Sequence, residues 1–258
     1  MHLPPDQVYP IYQTVGYNWV QSVEGNVDAA HVTVLHQDWL GAITKTGVLA
    51  AAAGKLAPVY EIEDRKGGVR YAAIRSLGDG TRYVRVTEYT APWYTFIASE
   101  DGGEGDRSCV MSVPVDDTHS IYWTIRFNPF RTLGSSHFNP VADSGNWPPY
   151  LTAGADERWG QDRHAMQNGS FSGFTQHVVM EDFAVTESQG ALADRTDEYL
   201  SAGDRAVARV RQILLNAVKQ FRKGQIPSWA QHENIPYRSV RALAGIIPES
   251  HDWRELRA

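Results

Sequence analysis

The sequence predicts an α+β fold in which a long helix lies across an antiparallel sheet. The first observation is a Gly-Asp-Gly sequence at residues 78–80, which separates two segments rich in β-branched and aromatic residues and is a strong hairpin signal. The second is a series of strand-like segments that continues to residue 127, each bounded by turn residues. The third is an apolar stripe at helical spacing over residues 204–222. Because consecutive strands are joined by tight turns, the predicted sheet is antiparallel.

The N-terminal part is predicted to contain one helix between two irregular segments. Residues 1–13 include several prolines and are predicted to be an irregular lead-in. Residues 18–36 are predicted to be mostly helical, with less regular structure from residue 28 onward. Residues 37–58 are poor in bulky apolar side chains and rich in Gly, Ala and Thr, so we predict a flexible loop that connects two elements or covers a site as a lid.

The strands of the sheet are predicted between residues 59 and 127. Cys109, the single cysteine, falls on one of them and is predicted to be an inert, small apolar residue. Four arginines lie on the two predicted strands of the hairpin: Arg70, Arg75, Arg82 and Arg85. Strand arginines are usually solvated, and the alternative is that one of these pairs with an acidic substrate. The predicted strands are 69–76, 82–89, 93–99, 109–115 and 120–127, with turns at 102–106 and 116–119.

The C-terminal half is predicted to be helical between loops. Residues 128–156 read as loop and residues 159–167 as helical. Asp204 is a candidate N-cap of the long helix, and Gly224 is a candidate residue for its end. Residues 225–258 are predicted to be irregular. The apolar stripe of the helix is expected to be core, and it consists of Val207, Val210, Ile213, Leu214, Val218 and Phe221.

Length and charge restrict the class of protein. The 258 residues suffice for one large domain, which we predict over 1–258 with a lead-in at 1–13, a core at 14–222 and a tail at 223–258. The net charge of −6 argues against a nucleic-acid groove built on excess basic residues. A basic and apolar leader and an apolar run of bilayer length are both absent from the sequence, so a cytoplasmic protein without membrane contact is expected.

The chemistry-bearing residues of the N-terminal half are Asp28, His31 and His36. Asp28 and His31 are three apart, so on a helix they lie one turn above each other on one face. His31 and His36 are five apart, so the helix must be interrupted if both are to contact one atom. Two imidazoles with one carboxylate form the facial triad of non-haem Fe(II) oxygenases. On spacing alone, a chance pair of histidines stays open beside a metal site.

The sequence around the two histidines resembles a known iron-ligand segment. Residues 18–36, NWVQSVEGNVDAAHVTVLH, are similar to that of the catalytic domain of Rieske non-haem iron ring-hydroxylating oxygenases, in the branch of phthalate 4,5-dioxygenase and aromatic-acid O-demethylases. By this resemblance His31 and His36 are iron ligands, and Asp28 is the acidic residue through which electrons reach the iron. The matching positions are Asn18, Trp19, Gln21, Glu24, Gly25, Asp28, His31 and His36.

A second stretch resembles the same family. Asp182 matches the third iron ligand, although the family usually has Gln before this residue and Glu181 stands here, so an exchange of the two carboxylate roles stays open. His177 is read as a structural or surface histidine. The other matches are Asp162, Arg163 and Gln167, then Glu187-Ser188-Gln189-Gly190 and Asp194-Arg195-Thr196.

The resemblance implies a helix-grip fold, one Fe(II) and O₂-dependent hydroxylation or O-demethylation of an aromatic, carboxylated compound. It also implies a Rieske [2Fe–2S] protein and a reductase as partners, and a ring of three subunits. A Rieske centre takes two Cys and two His, so this chain with its single cysteine is expected to carry no [2Fe–2S] cluster. The cluster is then expected on another polypeptide, or the chain is a truncated form. The alternative function is a helix-grip small-ligand-binding protein or an inactive remnant.

Overall fold

The strand-forming segments assemble into one antiparallel sheet in a computed structural model of the chain. In the part of the chain described below, the sheet has 8 strands in the order β1-β7-β6-β5-β4-β3-β2, and β8 pairs with β4. The strands are β1 (Val8–Val15), β2 (Val59–Arg65), β3 (Gly68–Ser76), β4 (Thr81–Thr90), β5 (Tyr94–Ile97), β6 (Arg107–Pro114), β7 (Ser120–Phe127) and β8 (Leu243–Pro248).

The structure describes residues 3–43, 48–54, 57–99, 102–133, 154–174, 178–231 and 235–256. Within these ranges, none of the helices combines the length and the apolar character that a bilayer span requires. The predicted loop over 128–156 lies mostly outside the described residues. The α-helices are α1 (Trp19–Val27), α2 (His31–Val34), α3 (Gln37–Ile43), α4 (Arg163–Gln167), α5 (Val178–Glu187) and α6 (Arg205–Arg222).

One face of the sheet, here called the helix face, packs against α1 and α6. Tyr71 on β3 points to this side, because its hydroxyl donates a hydrogen bond to the carbonyl of Val27 at the end of α1. Every second residue of a strand lies on the same face, so Val69, Ala73 and Arg75 accompany Tyr71. Apolar side chains of α1, α6 and the sheet form one buried cluster here: Val23, Val27, Ala29, Tyr60, Val69, Tyr71, Ala73, Tyr89, Ala91, Ala206, Val207 and Val210.

The opposite face of the sheet, here called the outer face, is covered in part by the C-terminal segment. Trp253 is buried there against Ala72 and Ile74 of β3 and Val84 and Val86 of β4. The indole N–H of Trp253 donates to Glu61 Oε2 at 2.7 Å. The sheet therefore has apolar packing on both faces.

Two segments predicted to be irregular contain strands. The prediction of an irregular lead-in at 1–13 is wrong from residue 8 onward. β1 pairs with β7 along its whole length, from Val8 with Phe127 to Val15 with Ser120. The prediction of an irregular tail is also wrong over Leu243–Pro248, because these residues form β8 and pair with β4. Both strands find their partners far away in the chain, and Pro10 is compatible with β1 because this strand lies at the edge of the sheet.

The predicted loop at 37–58 is wrong as well. It begins with α3 and contains a 3₁₀-helix, Val48–Ala52. Its few apolar side chains are sufficient to anchor it, since Leu40, Leu49 and Ala52 are buried in one cluster with Tyr83. The predicted helix at 159–167 is confirmed only from Arg163, after a 3₁₀-helix, Ala155–Gly160.

The long helix α6 begins and ends as predicted, but its apolar stripe is only half core. Gly224 follows it with φ +73°, the left-handed conformation that glycine adopts without strain. Val207 and Val210 are buried, whereas Val218 is 52% exposed and Phe221 is 73% exposed. The expectation of a continuous core stripe is therefore wrong for the second half, which lies outside the helix-face cluster. Asp204 caps no helix N–H with its side chain, because the carboxylate bonds Ser201 instead.

Other sequence predictions are confirmed. The hairpin joins β3 to β4 at residues 78–80, where Gly78 and Gly80 have φ +85° and φ +81°. Cys109 is buried on β6, and burial raises the pKa of its thiol to about 12, so the unreactive thiol form predominates at neutral pH.

Candidate metal centre

The site begins where α1 ends. Asp28 has extended backbone angles, and its carboxylate accepts hydrogen bonds from the N–H groups of Ala30 (2.7 Å) and His31 (3.1 Å). The less regular structure predicted from residue 28 onward is confirmed, because Asp28 lies between α1 and α2 and its carboxylate caps the start of α2. The predicted contact still forms, with His31 Nδ1 lying 3.3 Å from Asp28 Oδ2.

The environment of Asp28 favours its charged form. Burial raises the pKa of this carboxyl. The hydrogen bond and charge of His31 and the two backbone N–H groups together lower this pKa by more than burial raises it. The net effect is a pKa below the ordinary value for Asp. A charged Asp28 accepts the N–H of His31, which leaves Nε2 of that imidazole as the free nitrogen.

The two histidines converge because the helix is interrupted between them, as the spacing of five residues predicts. α2 ends at Val34 and α3 begins at Gln37, so His36 lies in the turn between them. The two imidazole rings have centroids 5.1 Å apart and planes at 81°. A continuous helix would direct these side chains about 140° apart around its axis.

Asp182 reaches the two histidines from α5. Its Oδ1 lies 3.1 Å from His36 Nε2 and 3.5 Å from His31 Nε2. One possible ligand atom from each of the three residues lies within 4.8 Å of the others. Two imidazole nitrogens and one carboxylate oxygen around a common point suit a divalent transition metal. We call His31, His36 and Asp182 the triad.

Glu181 contacts the other side of His36. This fully buried carboxylate lies with Oε2 at 2.6 Å from His36 Nδ1, and its second oxygen accepts the hydroxyl of Ser172. Asp182 faces Nε2 of the same ring, so the two neighbouring carboxylates contact opposite edges of one imidazole. This geometry favours Asp182 over Glu181 as the possible ligand. His177, the remaining histidine near this stretch, lies outside the described residues.

The charges around His36 favour a cation at its ring. Burial lowers the pKa of this imidazole, but the charges and hydrogen bonds of Asp182 and Glu181 raise it to about 10. A proton or a metal ion at Nε2 is therefore stabilised, and binding a metal ion there releases the proton.

Sequence reasoning missed the polar side chains that surround the triad. Tyr122 on β7 donates a hydrogen bond to Asn26 Oδ1 at 2.7 Å, and its ring contacts Phe183 edge-on. Burial, followed by the charge of Asp182, raises the pKa of Tyr122, so its hydroxyl stays protonated. Tyr17 is also buried, and its pKa is raised for the same first cause. The two tyrosines have no motif spacing, because one lies on the sheet and the other follows β1, and the charge of Asp182 acts on both.

Several motif residues have structural contacts instead of positions at the triad. Asn18 caps α1 by accepting the N–H of Val20. Gln21 bonds the carbonyl of Gly190 and the N–H of Ala193, which fastens the segment after α5 to α1. Glu24 pairs with Arg195 at 2.9 Å and with Arg211 at 2.7 Å, which also joins α6 to this assembly. Asp162 caps α4.

The four strand arginines are divided between the two faces. Arg75 and Arg70 are only 3% and 5% exposed, so the expectation of solvated side chains is wrong for both. Arg75 donates to the carbonyl of Ala29 at 2.8 Å, on the helix face. Arg85 pairs with Ala73 across the hairpin and therefore lies on the helix face as well, half-buried.

Comparison with known sequences identifies related proteins. Residues 5–258 match a model of the family described as LigXa C-terminal domain like. The chain is 30% identical over 267 residues to the phthalate 4,5-dioxygenase oxygenase subunit of Pseudomonas putida, with 93% of this chain and 57% of that protein covered. It is 25% identical over 275 residues to the 3-chlorobenzoate-3,4-dioxygenase oxygenase subunit of Comamonas testosteroni, with 98% and 62% covered.

A further relative is the 5,5'-dehydrodivanillate O-demethylase oxygenase subunit of Sphingobium sp., 23% identical over 215 residues, with 81% of this chain and 43% of that protein covered. The chain thus spans between 43% and 62% of the length of these three relatives.

Solved structures confirm the α+β fold class. NdmB of Pseudomonas putida CBB5 superposes with a TM-score of 0.52 at 12% identity, covering 95% of this chain and 60% of that one. NdmA of the same strain, with caffeine, gives a TM-score of 0.51 at 14% identity, covering 97% and 63%. These likenesses concern the fold alone. Because the family match extends over nearly the whole chain and the relatives by sequence are oxygenase subunits, the resemblance found in the motifs is confirmed, and the chain belongs to the LigXa C-terminal domain-like family.

Proposed function

We propose that the chain is the catalytic domain of an oxygenase that binds Fe(II) at His31, His36 and Asp182. The observation that carries this proposal is the convergence of three suitable ligand atoms within 4.8 Å. The reaction is O₂-dependent hydroxylation or O-demethylation of an aromatic compound, in line with the activities named for the relatives. When bound, the iron supplies the oxygen chemistry, and the protein supplies ligands, orientation and charge.

The residues around the triad prepare it for one cation. Asp28 holds Nδ1 of His31 and Glu181 holds Nδ1 of His36, so both rings are fixed with Nε2 free. Carboxylates in these positions set the tautomer of each ring and increase its basicity as a ligand. Asp182, whose side chain is 30% exposed, completes the set of ligands.

Electrons enter near Asp28 in this proposal. Its side chain is 25% exposed and contacts His31 directly, so it can contact a partner protein and a triad residue at the same time. The partners are a Rieske [2Fe–2S] protein and a reductase, and the assembly is a ring of three subunits. The single cysteine of this chain cannot supply the two thiolates of such a cluster.

The substrate is proposed to carry a carboxylate. Two relatives are named for phthalate and 3-chlorobenzoate, which are both carboxylated aromatic compounds. Arg85 is half-buried on the helix face, where a guanidinium can pair with such a group in two parallel hydrogen bonds. Arg75 next to it is already engaged by the carbonyl of Ala29, so Arg85 is the better candidate.

Iron content tests the metal site. After anaerobic reconstitution with Fe(II), the parent chain is expected to retain about one iron per chain, and His31→Ala and Asp182→Ala are expected to lose it. His119→Ala is the matched control, because His119 is an exposed histidine that contacts only its own turn in the described structure. Iron retention by both triad variants at the parent level would contradict the assignment.

Turnover tests the enzyme. Loaded protein with a separate Rieske protein, a reductase and NADH is expected to oxidise a benzoate or phthalate, whereas protein with reductase alone is expected to give no sustained product. Sustained turnover without a Rieske component would disprove the electron route. Iron binding without oxidation of any tested aromatic acid would favour the ligand-binding alternative.

A further inference from the structure

A cleft with a cavity volume of about 450 Å³ lies on the outer face of the sheet. Arg70 marks this face, because it neighbours Tyr71 on β3 and strand side chains alternate. The cleft is formed where the starts of β3 and β6 meet the end of β2 and the segment before β8. We call it the arginine cleft, and its lining residues are Arg65, Arg70, Arg107, Arg238, Ser239, Val240, Arg241, Leu243 and Leu256.

The charge of this cleft is opposite to that of the whole chain. Five of its nine lining residues are arginines and none is acidic, although the chain has a net charge of −6. Described carboxylates near the cleft include Glu88, buried beneath Arg70 at 2.7 Å, Glu63, at 3.0 Å from Arg65, and Glu104, whose charge acts on Arg107. The five guanidinium groups that line the cleft repel one another. An anion in the cleft would reduce their mutual repulsion.

Most of the guanidinium groups are held in place before any ligand binds. Arg70 donates to Glu88 Oε2 at 2.8 Å and also to the carbonyl of Ser239. Arg65 donates to Ser239 Oγ at 2.9 Å, and Arg241 donates to the carbonyls of Arg254 and Leu256. Fixed donors lose less conformational entropy on binding than flexible ones.

Two arginines retain capacity for a ligand. Arg107 stacks on the ring of Phe130 at 5.2 Å and donates through Nη2 to the carbonyl of Gly103. Its Nε is buried and has no hydrogen-bond partner among the described residues, which leaves one of its donors unsatisfied. Arg238 is exposed at the rim of the cleft.

The remaining walls are apolar and select the kind of anion. Val240, Leu243 and Leu256 line the cleft between the arginines. Apolar walls with a few fixed polar groups are typical of sites for small organic molecules, whereas a site for an inorganic ion needs no apolar wall. We propose that the arginine cleft binds a small organic anion, whose carboxylate or phosphate oxygens accept from the guanidinium groups and whose apolar part contacts these walls.

This site is separate from the triad. Arg70 and Glu88 face the outer side, whereas Tyr71 and Arg75 on the same strand contact the carbonyls of Val27 and Ala29 beside the triad. The sheet therefore lies between the two sites. The proposal accordingly does not depend on iron binding or on oxygenase activity.

Calorimetric titration of the full chain tests the proposal with four probes: phthalate, benzoate, phenyl phosphate and inorganic phosphate. Phthalate or phenyl phosphate is expected to bind at least about tenfold more tightly than inorganic phosphate, because only the organic anions contact the apolar walls. Binding is expected to weaken with added salt. Where Arg238→Gln weakens that binding, a preference for phthalate identifies a carboxylate site in the cleft, and a preference for phenyl phosphate identifies a phosphate site. Inorganic phosphate binding as tightly as all three organic probes overturns the organic class.

Variants locate the bound anion. Arg238→Gln and Arg107→Gln are expected to weaken binding of the preferred probe by about tenfold each, since each removes a charged donor. Arg238 is exposed, so its replacement leaves the fold intact even if Arg107→Gln does not fold. Arg222→Gln, at the exposed end of α6, is the matched control and is expected to bind like the parent. His31→Ala is expected to bind the anion normally. Unchanged binding in Arg238→Gln and Arg107→Gln, or loss in His31→Ala, overturns the proposal.

Discussion

The two faces of the sheet carry candidate sites of opposite charge. On the helix face, carboxylates of Asp28, Glu181 and Asp182 surround two imidazoles, and the site favours a cation. On the outer face, five arginines line one cleft, and the site favours an anion. Residues for the two faces alternate along a single strand, as Arg70 and Tyr71 do. A shift of strand register by one residue would exchange the faces, so correct pairing of the strands keeps the two charge patterns apart.

The largest effect is expected from breaking the buried ion pair under the arginine cleft. Glu88 is 4% exposed and accepts from Arg70 and from the N–H of Arg241. Glu88→Ala leaves the Arg70 guanidinium buried without its charge partner and is expected to lower the free energy of unfolding by about 4 kcal/mol. Urea denaturation measures it. Glu249→Ala removes an exposed carboxylate and is expected to change stability by less than about 1 kcal/mol, so equal losses would contradict the buried-pair account.

Asp28→Asn tests the negative charge on the helix face. The variant keeps the size of the side chain but loses charge, so it is expected to retain iron while electron delivery slows by about 100-fold. The measurement is single-turnover oxidation of a pre-reduced Rieske partner at matched iron content. Asp116→Asn, in an exposed turn, is the control. Equal rates in parent and Asp28→Asn would reduce Asp28 to the cap of α2.

Glu181→Gln tests whether the negative charge of Glu181, beyond its hydrogen bond to His36, strengthens metal binding. The amide oxygen of Gln can still accept the Nδ1–H, so ring orientation is expected to persist while the ligand becomes less basic. Affinity for Fe(II), or for Co(II) as a spectroscopic substitute, is expected to fall by about 50-fold. Titration followed by the Co(II) absorption bands measures this, with the exposed Glu157→Gln as control. Unchanged affinity would make Glu181 only a support for Ser172.

The smallest effect distinguishes the two halves of α6. Val210 is fully buried on the helix face, so Val210→Ala is expected to cost about 1.5 kcal/mol of unfolding free energy. Val218 is 52% exposed, so Val218→Ala is expected to cost less than about 0.5 kcal/mol. Denaturant midpoints of the two variants measure the difference. A comparable loss at both positions would mean that the second half of α6 is buried in solution.

Local patterns predicted the parts of the molecule that depend on neighbouring residues. The hairpin at 78–80, the interruption between His31 and His36 and the end of α6 at Gly224 follow from turn chemistry and spacing. The strands β1 and β8 could not be predicted in this way, because their partners β7 and β4 are distant in sequence. Proline at position 10 further obscured the first of them.

The sites show the same division. The two histidines could be predicted as a pair from their spacing, and Asp182 was predicted from the resemblance to the family. The contact of Glu181 with His36 Nδ1 was not predicted, since it requires knowledge of which edge of the ring faces which carboxylate. The arginine cleft was not predicted either. Its residues come from separate strands and a C-terminal segment, so no spacing along the chain connects them.

The contact between His36 and Glu181 joins positions 145 residues apart in the chain. An ion held by the triad therefore acts as a cross-link between the two ends of the segment that contains β2 to β7, and it closes a loop that the unfolded chain closes only at a large entropic cost. Since the binding site exists only in the folded chain, the free energy of binding adds to that of folding. At a metal concentration one hundred times the dissociation constant, the gain is about 2.7 kcal/mol. The melting temperature is thus expected to depend on metal concentration, with sheet and site unfolding in one transition.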